Sequence, residues 1–321
     1  MKIKDKIYGE LEIEEPVILE LVNSKNVRRL KNLSMVGLPQ EYWHKPIFSR
    51  YEHSIGVFLL LRKLGAEIEE QVAGLLHDVS HTAFSHVVDW VLGDRTKEDF
   101  QDSIHSETIR NSNIPKVLDK YGIDSEKISK LDKFSLLDSN IPDLCVDRFD
   151  YAIREIIRFE ALENIDLILK TLSNLDGKLV FTSQKAAEIF SRGFLKCQAE
   201  HWGGEESKAR YHLLADALKY ALNQGILSEK DFRKTDFEVL EILNNTQDEK
   251  IERILIALKT GIKVVEDEAG FSLPKKIRYV DPQILLNSQI IKLSEISEEY
   301  RAHLDNFIQK QKAFKKIKIL I

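Results

Sequence analysis

LLHDVSHTAFSH, residues 75–86, places three of the chain's nine histidines within ten residues, the first followed directly by Asp78. Five histidines (His53, His77, His81, His86 and His105) fall between positions 53 and 105, where an even spread would put about 1.5. Such a cluster beside a carboxylate reads as a metal site rather than ordinary helix packing. His77 and His81 are four apart, which on a helix stacks them on one face. Asp78 lies ~100° round from His77, within reach of an ion at that edge. His53 belongs to a separate helical pattern and would approach from across a bundle. The best further oxygen ligand is Asp147 in CVDRFDYAIRE, where a lone carboxylate in an apolar helix would be costly to bury. Mixed imidazole and carboxylate ligands suit iron, manganese, zinc, nickel or cobalt better than calcium.

The surrounding sequence is helical in period. PVILELV (16–22), NVRRLKNLSMV (26–36, capped by Ser24), EHSIGVFLLLRKLG (52–65) and EIEEQVAGLLHDV (67–79) carry apolar stripes. So do FSHVVDWVLG (84–93), DLCVDRFDYAIREIIRFEAL (143–162), QKAAEIFSRGFLKCQAEHW (184–202), KARYHLLADALKYALNQG (208–225) and EKIERILIALKTG (249–261). Gly65 and Gly261 stand where a helix C-terminus favours glycine. GKLVFTS (177–183), KKIRYVDP (275–282) and KKIKILI (315–321) look extended, and are expected to pair into a small sheet tying the chain's end to its middle. Residues 93–113 and 122–143 are polar and turn-rich and are expected to be loops or lids. The fold class is therefore mainly α, with a small β element in the C-terminal part. A soft boundary near Gln224-Gly225 separates a first region, 1–225, from a helical module with short strands, 226–321.

Composition is that of a globular protein, 43% hydrophobic and 31% charged. No run approaches the roughly 18 uninterrupted apolar residues of a membrane helix, and MKIKDKIYGELEIEE lacks the apolar core of a signal peptide. A cytoplasmic protein without membrane contact is expected. Cys145 and Cys197 cannot frame a disulfide scaffold, and the absence of CxxC excludes a thiolate zinc knuckle. A net charge of −5 gives no global pull toward nucleic acid. The basic stretch KQKAFKKIK (310–318) reads as a solvated face.

SRYEHSIGV (49–57), HDVSHTAFSH (77–86) and VDRFDYAIRE (146–155) resemble the signature segments of the HD-domain phosphohydrolases. They are most similar to the deoxynucleoside triphosphate triphosphohydrolase branch, which includes the vertebrate HD-and-SAM-domain enzyme. DKIYGELEIEEPVILELVNSKNVRRLKNL (5–33) resembles that branch's opening segment. The resemblance implies an HD-domain multi-helix fold and one divalent metal ion (Fe, Mn, Zn, Ni, Co or Mg) on His53, His77, Asp78 and Asp147. It implies phosphate contact for His81 and His86, and a further active-site histidine at His105 supported by Asp89. Arg50 and Arg148 would hold phosphates, Tyr151 would pack on the sugar, and Glu155 would lie near the 3′-hydroxyl. The implied reaction is hydrolysis of a (deoxy)nucleoside triphosphate to nucleoside and triphosphate, by a homo-oligomer. Another phosphoester (a nucleoside mono- or diphosphate, or a cyclic nucleotide) and a low-turnover nucleotide sensor are alternatives; nucleic-acid binding is left open. Several positions depart from the pattern: Ser80 and Ala83 replace a glycine and a proline, Ser106 and Met35 replace a carboxylate and a glutamine, and Glu200-His201 stands for Tyr-Gln. The metal set is intact while the set expected to read sugar and base is altered.

Overall fold

The computed structural model describes residues 1–160, 165–272, 276–312 and 316–321, with the side chain of Glu160 left aside. The expected helix 143–162 thus lies partly outside the described residues, as do the first residues of both KKIRYVDP and KKIKILI and the middle of KQKAFKKIK.

The helix Arg50–Lys63 is the centre of the fold. Ser49 and Glu52 form a reciprocal capping box at its start, satisfying two backbone donors that helix geometry leaves free. Arg50 and the unbroken run His53–Leu61 are buried, so this helix is surrounded rather than amphipathic. Its neighbours are Ile68–Leu76, which leads into the second signature segment, and Val146–Glu160, which carries the third. Gly65, at φ +73°, supplies the left-handed turn between the first two.

Several sequence expectations need correction. The helix of LLHDV ends at Leu76, with His77 as its cap and a turn over 77–80. His77 and His81 are therefore not stacked on an α-helical face. FSHVVDWVLG winds as a 3-10 helix, Ser85–Trp90, entered through left-handed Phe84 and Ser85 (φ 60° and 44°). The segment 26–36 is helical only to Asn32. The expected loop 93–113 contains the helix Phe100–Arg110, of which only His105 and Ile109 are buried, so no apolar period betrays it. Similarly, 122–143 holds the short helix Ser125–Ile128 and a 3-10 turn, Leu131–Lys133. Gln184–Cys197 does continue to Trp202 as expected, but widens into a π-helical turn over Gln198–Trp202. Glu205–Asn223 and Glu249–Thr260 match their sequence patterns.

The strands form three separate sheets. An antiparallel hairpin, β1 (Lys2–Asp5) and β2 (Gly9–Glu12), opens the chain. β3 (Leu172–Leu175) and β4 (Lys178–Phe181) precede the long β5 (Lys263–Ser272). β6 (Gln283–Leu286), β7 (Gln289–Lys292) and β8 (Lys316–Leu320) complete the set. β3-β4-β6-β7 make one sheet, with β4 and β6 parallel. β8 pairs with β5 instead. GKLVFTS and KKIKILI thus contribute strands to different sheets, and among the described residues 276–282 of KKIRYVDP pair with no strand.

Two hydrophobic clusters form the core. One gathers Phe58, Leu75, Phe149 and Phe194 with Tyr300 and Phe307. The other joins Leu38, Phe84 and Leu218 to Val239, Leu243 and Leu255. Both take residues from either side of 225, so the division there is kept as a proposal about sequence regions of one packed body. Among the described residues no helix is long and apolar enough to cross a membrane.

Candidate metal centre and substrate cavity

Three helices bring His53, His77 and Asp147 together. One ligand atom from each lies within 4.8 Å of the others. His53 Nε2 is 2.9 Å from Asp147 Oδ1 and 3.1 Å from His77 Nε2. His77 Nε2 is 3.6 Å from the same Asp147 oxygen. The opposite ring nitrogens are committed. His53 Nδ1 donates to Asp150 Oδ2 at 2.8 Å, and His77 Nδ1 donates to the Gly74 carbonyl at 2.7 Å. Both Nε2 lone pairs therefore converge on one carboxylate oxygen, an arrangement that repels unless a positive charge fills it. Burial works against a proton on His53, yet Asp147 and Asp150 hold its pKa up at about 9. The Asp147 carboxyl, despite burial, is driven well below the usual carboxylate range by His53 and His77. The bare cradle thus recruits a proton, and a divalent ion competes for the same lone pairs. The residues present fit the ion that the sequence implies.

Asp150 and Arg154 follow Asp147 at i+3 and i+7, on the same helix face. Arg154 donates to both Asp150 oxygens, at 2.7 and 3.1 Å, and reaches Asp5 of the hairpin at 2.7 Å. Gly56 makes room for this pair: a Cβ there would stand 2.0 Å from the guanidinium and 2.2 Å from Asp150 Oδ1. Sequence reading quoted Asp150 but assigned it nothing; the i+3 spacing from Asp147 was the available signal.

Asp78 lies beside the cradle. Its Oδ2 accepts from Arg50 at 2.9 Å, and its Oδ1 is 3.5 Å from His77 Nε2 and 3.2 Å from His81 Nε2. Each Arg50 nitrogen has a partner: besides the bond to Asp78, its Nε donates to Ser85 Oγ at 2.7 Å and its other terminal nitrogen to the Met35 carbonyl at 3.2 Å. The strained Phe84-Ser85 turn that presents Ser85 is fastened from beyond position 225. Asp236 accepts the backbone N–H of Phe84 and of Ser34, each at 2.8 Å. Burial pushes the Asp236 carboxyl up to about 6 even so.

Asp89 supports His86, not His105. Its Oδ2 is 3.2 Å from His86 Nδ1 and its Oδ1 accepts from the Phe100 N–H at 2.8 Å. His105 points inward instead, 3.2 Å from Ser80 Oγ, and burial with His77 nearby drops its pKa to about 4. Gln101 and Asp102, one helical turn earlier, occupy the cavity wall expected of His105.

The cavity over the cradle encloses about 400 Å³ and is lined by His77, Asp78, His81, Asp147, Arg148 and Lys276, among others. Arg148 is pinned by the carbonyls of Asp143 (2.6 Å) and Ser139 (3.0 Å). An adjoining chamber is lined by Trp43, Glu155, His201, Trp202 and Tyr211. Met35, Arg50, His86, Glu98, Tyr151 and Arg278 line both. Tyr151 packs edge-on against Trp202, with centroids 5.4 Å apart. Glu155 accepts from Trp202 Nε1, and burial lifts its pKa to about 7 against that bond. His53, His105 and Asp89 stand behind the cavity surface. His201, one of the positions that depart from the family pattern, lines the second chamber.

The model of the family described as HD domain matches residues 50–151, the interval from Arg50 to Tyr151. Over 325 residues the chain is 40% identical to the uncharacterized protein YdhJ of Bacillus subtilis, covering 100% of this chain and 99% of that one. It is 30% identical over 293 residues to the metal-dependent phosphohydrolase cns2 of Cordyceps militaris, covering 88% and 84%. A crystal structure of a phosphohydrolase from Bacteroides thetaiotaomicron, BT4208, superposes with a TM-score of 0.69 at 17% identity over 99% of both chains, a likeness of fold. The histidine–aspartate cradle, the family match and the near full-length similarity converge: the chain belongs to the HD-domain metal-dependent phosphohydrolases.

Proposed function

We propose that the chain hydrolyses a nucleotide, cutting a (deoxy)nucleoside triphosphate to nucleoside and triphosphate. The observation that carries this reading is the wall of shared residues, Tyr151 and Arg278 among them, between the cradle's charged cavity and an aromatic chamber. A phosphate chain needs the first, and a base or sugar face fits the second, where Trp43, Tyr151, Trp202 and Tyr211 offer stacking surface. The resemblance of the signature segments to the triphosphohydrolase branch supports the same choice.

His53, His77, Asp78 and Asp147 are the proposed metal-holding residues. A divalent ion held there supplies Lewis acidity toward a phosphoryl oxygen and a lowered pKa for water. Arg148, locked by two carbonyls, keeps a permanent charge on the cavity wall for phosphate oxygens. Arg50 acts chiefly by fixing Asp78 and the Ser85 turn. With Asp89 accepting at Nδ1, His86 keeps its Nε2 lone pair for the cavity and is the proposed proton carrier at the nucleophile or leaving group. His81 is the proposed second phosphate contact, Tyr151 the sugar platform, and Glu155 the acceptor or donor at a sugar hydroxyl. His105 orders Ser80 from behind.

One observation favours a second reading. Every nitrogen of Arg50 already has a partner, which leaves less cation for a long polyphosphate and suits a mono- or diphosphate. Product analysis decides between them. The purified protein is incubated with manganese and a nucleotide panel, and the phosphorus products are resolved. Triphosphate release sustains the main reading, orthophosphate alone moves it to the second, and tight binding without turnover marks a sensor.

A further inference from the structure

Outside the metal cradle, the cavity wall holds a buried ion trio. Glu98 accepts from Lys208 Nζ at 2.8 Å through one oxygen and from an Arg278 terminal nitrogen at 2.7 Å through the other. The Glu98 and Lys208 side chains are nearly inaccessible, whereas Arg278 keeps about a fifth of its surface open. Glu98 adopts a left-handed φ of 51°, uncommon for a residue other than glycine and retained where surroundings over-determine it. Burial alone would raise its pKa, but Arg278 and Lys208 hold it far below the carboxylate range. The trio therefore carries one net positive charge in a low-dielectric wall, and that excess is costly until an anion meets it.

Arg278 is delivered by residues 276–280, an extended segment that pairs with no strand. Its alternation is still that of a strand. Lys276 and Arg278 line the cavity over the cradle, while Ile277 and Tyr279 pack on the main core cluster. Three bonds fasten the segment and its end: Gln198 Nε2 to the Lys276 carbonyl at 3.1 Å, the Tyr300 hydroxyl to the Val280 carbonyl at 2.5 Å, and the Asp281 N–H to the Pro142 carbonyl at 2.8 Å. Arg278 lines both chambers. Among the described residues its only hydrogen bond is the one to Glu98, which leaves most of its five donors for a ligand.

We infer that Arg278 binds a phosphate group of the substrate where the two chambers meet, with Glu98 as its positioning residue. This rests on the reading of the cavity as a phosphoester site. Glu98 fixes one side of the guanidinium so that the remaining fork faces the cavity, a pre-organised contact that a lysine cannot copy. Lys208 balances the second Glu98 oxygen and lets the carboxylate stay ionised. The arm reaches the site from beyond position 225, so the family's HD segment alone does not complete this wall.

The test is titration of manganese-loaded protein with inorganic tripolyphosphate in a calorimeter, with metal content and thermal melting measured alongside. Arg278→Gln is expected to weaken binding roughly 10- to 100-fold, as for a lost hydrogen bond to a charged group, at unchanged metal content. Arg278→Lys falls between it and the wild type. Glu98→Gln discriminates further. Were charge alone at work, removing the carboxylate would tighten anion binding; a positioning role predicts weaker binding. If Glu98→Gln does not fold, the two Arg278 variants decide. Wild-type affinity in Arg278→Gln overturns the inference and leaves the phosphoester reading standing. A wild-type protein that binds neither tripolyphosphate nor orthophosphate takes both down.

Discussion

The cradle of His53, His77 and Asp147 and the Glu98–Lys208–Arg278 wall face the same cavity, yet they are assembled differently. His77 is held from behind by the carbonyl of Gly74, three residues earlier, and His53 by Asp150, from the same helix that carries Asp147. In the wall, Lys208 and Arg278 lie 110 and 180 positions from the Glu98 carboxylate that accepts from both. One helix, Val146–Glu160, aims both Asp147 and Asp150 at His53, whereas no element carries two ions of the wall, so the wall depends wholly on how three segments pack. Errors in the cradle should therefore cost metal, while errors in the wall should cost substrate affinity.

Asp147→Ala is the severest test. It removes the oxygen on which both lone pairs converge, so metal retention and turnover are expected to fall to background. Full metal occupancy in that variant by elemental analysis would refute the cradle. On the opposite side, Glu155→Gln probes the aromatic chamber. Its ordinary pKa of 4.5 rises to about 7 in the folded chain because the group is buried. Between those values the unfolded chain releases the proton and the folded chain keeps it, so this group's contribution is fully present below about 4.5 and is lost as pH rises through about 7. Comparing urea unfolding at pH 4.5 and pH 8, Glu155→Gln should gain on the wild type by up to ~3 kcal/mol at the higher pH. A gap independent of pH would mean that Glu155 is not held as a neutral acid.

Asp150→Asn sharpens the cradle's side of the comparison. It keeps shape but removes the charge behind His53, and metal affinity should drop roughly 10- to 100-fold, with tripolyphosphate binding to the fully loaded protein little changed. Gly56→Ala is the mildest of the four. In an exposed helix the change would stabilise by about 1 kcal/mol. Here the methyl meets Asp150 and Arg154, so a loss of about 1–3 kcal/mol is expected from overpacking, read as a lower melting temperature. A stabilised Gly56→Ala would show that the Asp150–Arg154 brace has slack.

The helical framework was legible because long apolar stripes repeat at helical spacing and Ser24, Gly65 and Gly261 stand at helix ends. The cradle was legible too, since His53, His77 and Asp147 are residue types that an ordinary core rejects. Phe100–Arg110 was missed because two inward residues make no stripe. The strand pairing was misassigned because local propensity says nothing of partners: KKIKILI found β5, and residues 276–282 kept a strand's alternation with no ladder. Asp89 was attached to the wrong histidine for a geometric reason. The 3-10 turn of Ser85–Trp90 brings position 89 back onto position 86.

The sequence by itself determined a helical chain with a clustered histidine–aspartate set, because periodicity and rare residue types are properties of the chain, and its signature segments carried the resemblance to the HD-domain family. Only the tertiary structure decided which nitrogen each histidine presents, that Arg50 is spent on Asp78, and that an arm from beyond position 225 closes the substrate cavity. Those outcomes depend on which distant side chains share a buried space, where every donor and charge must find a partner.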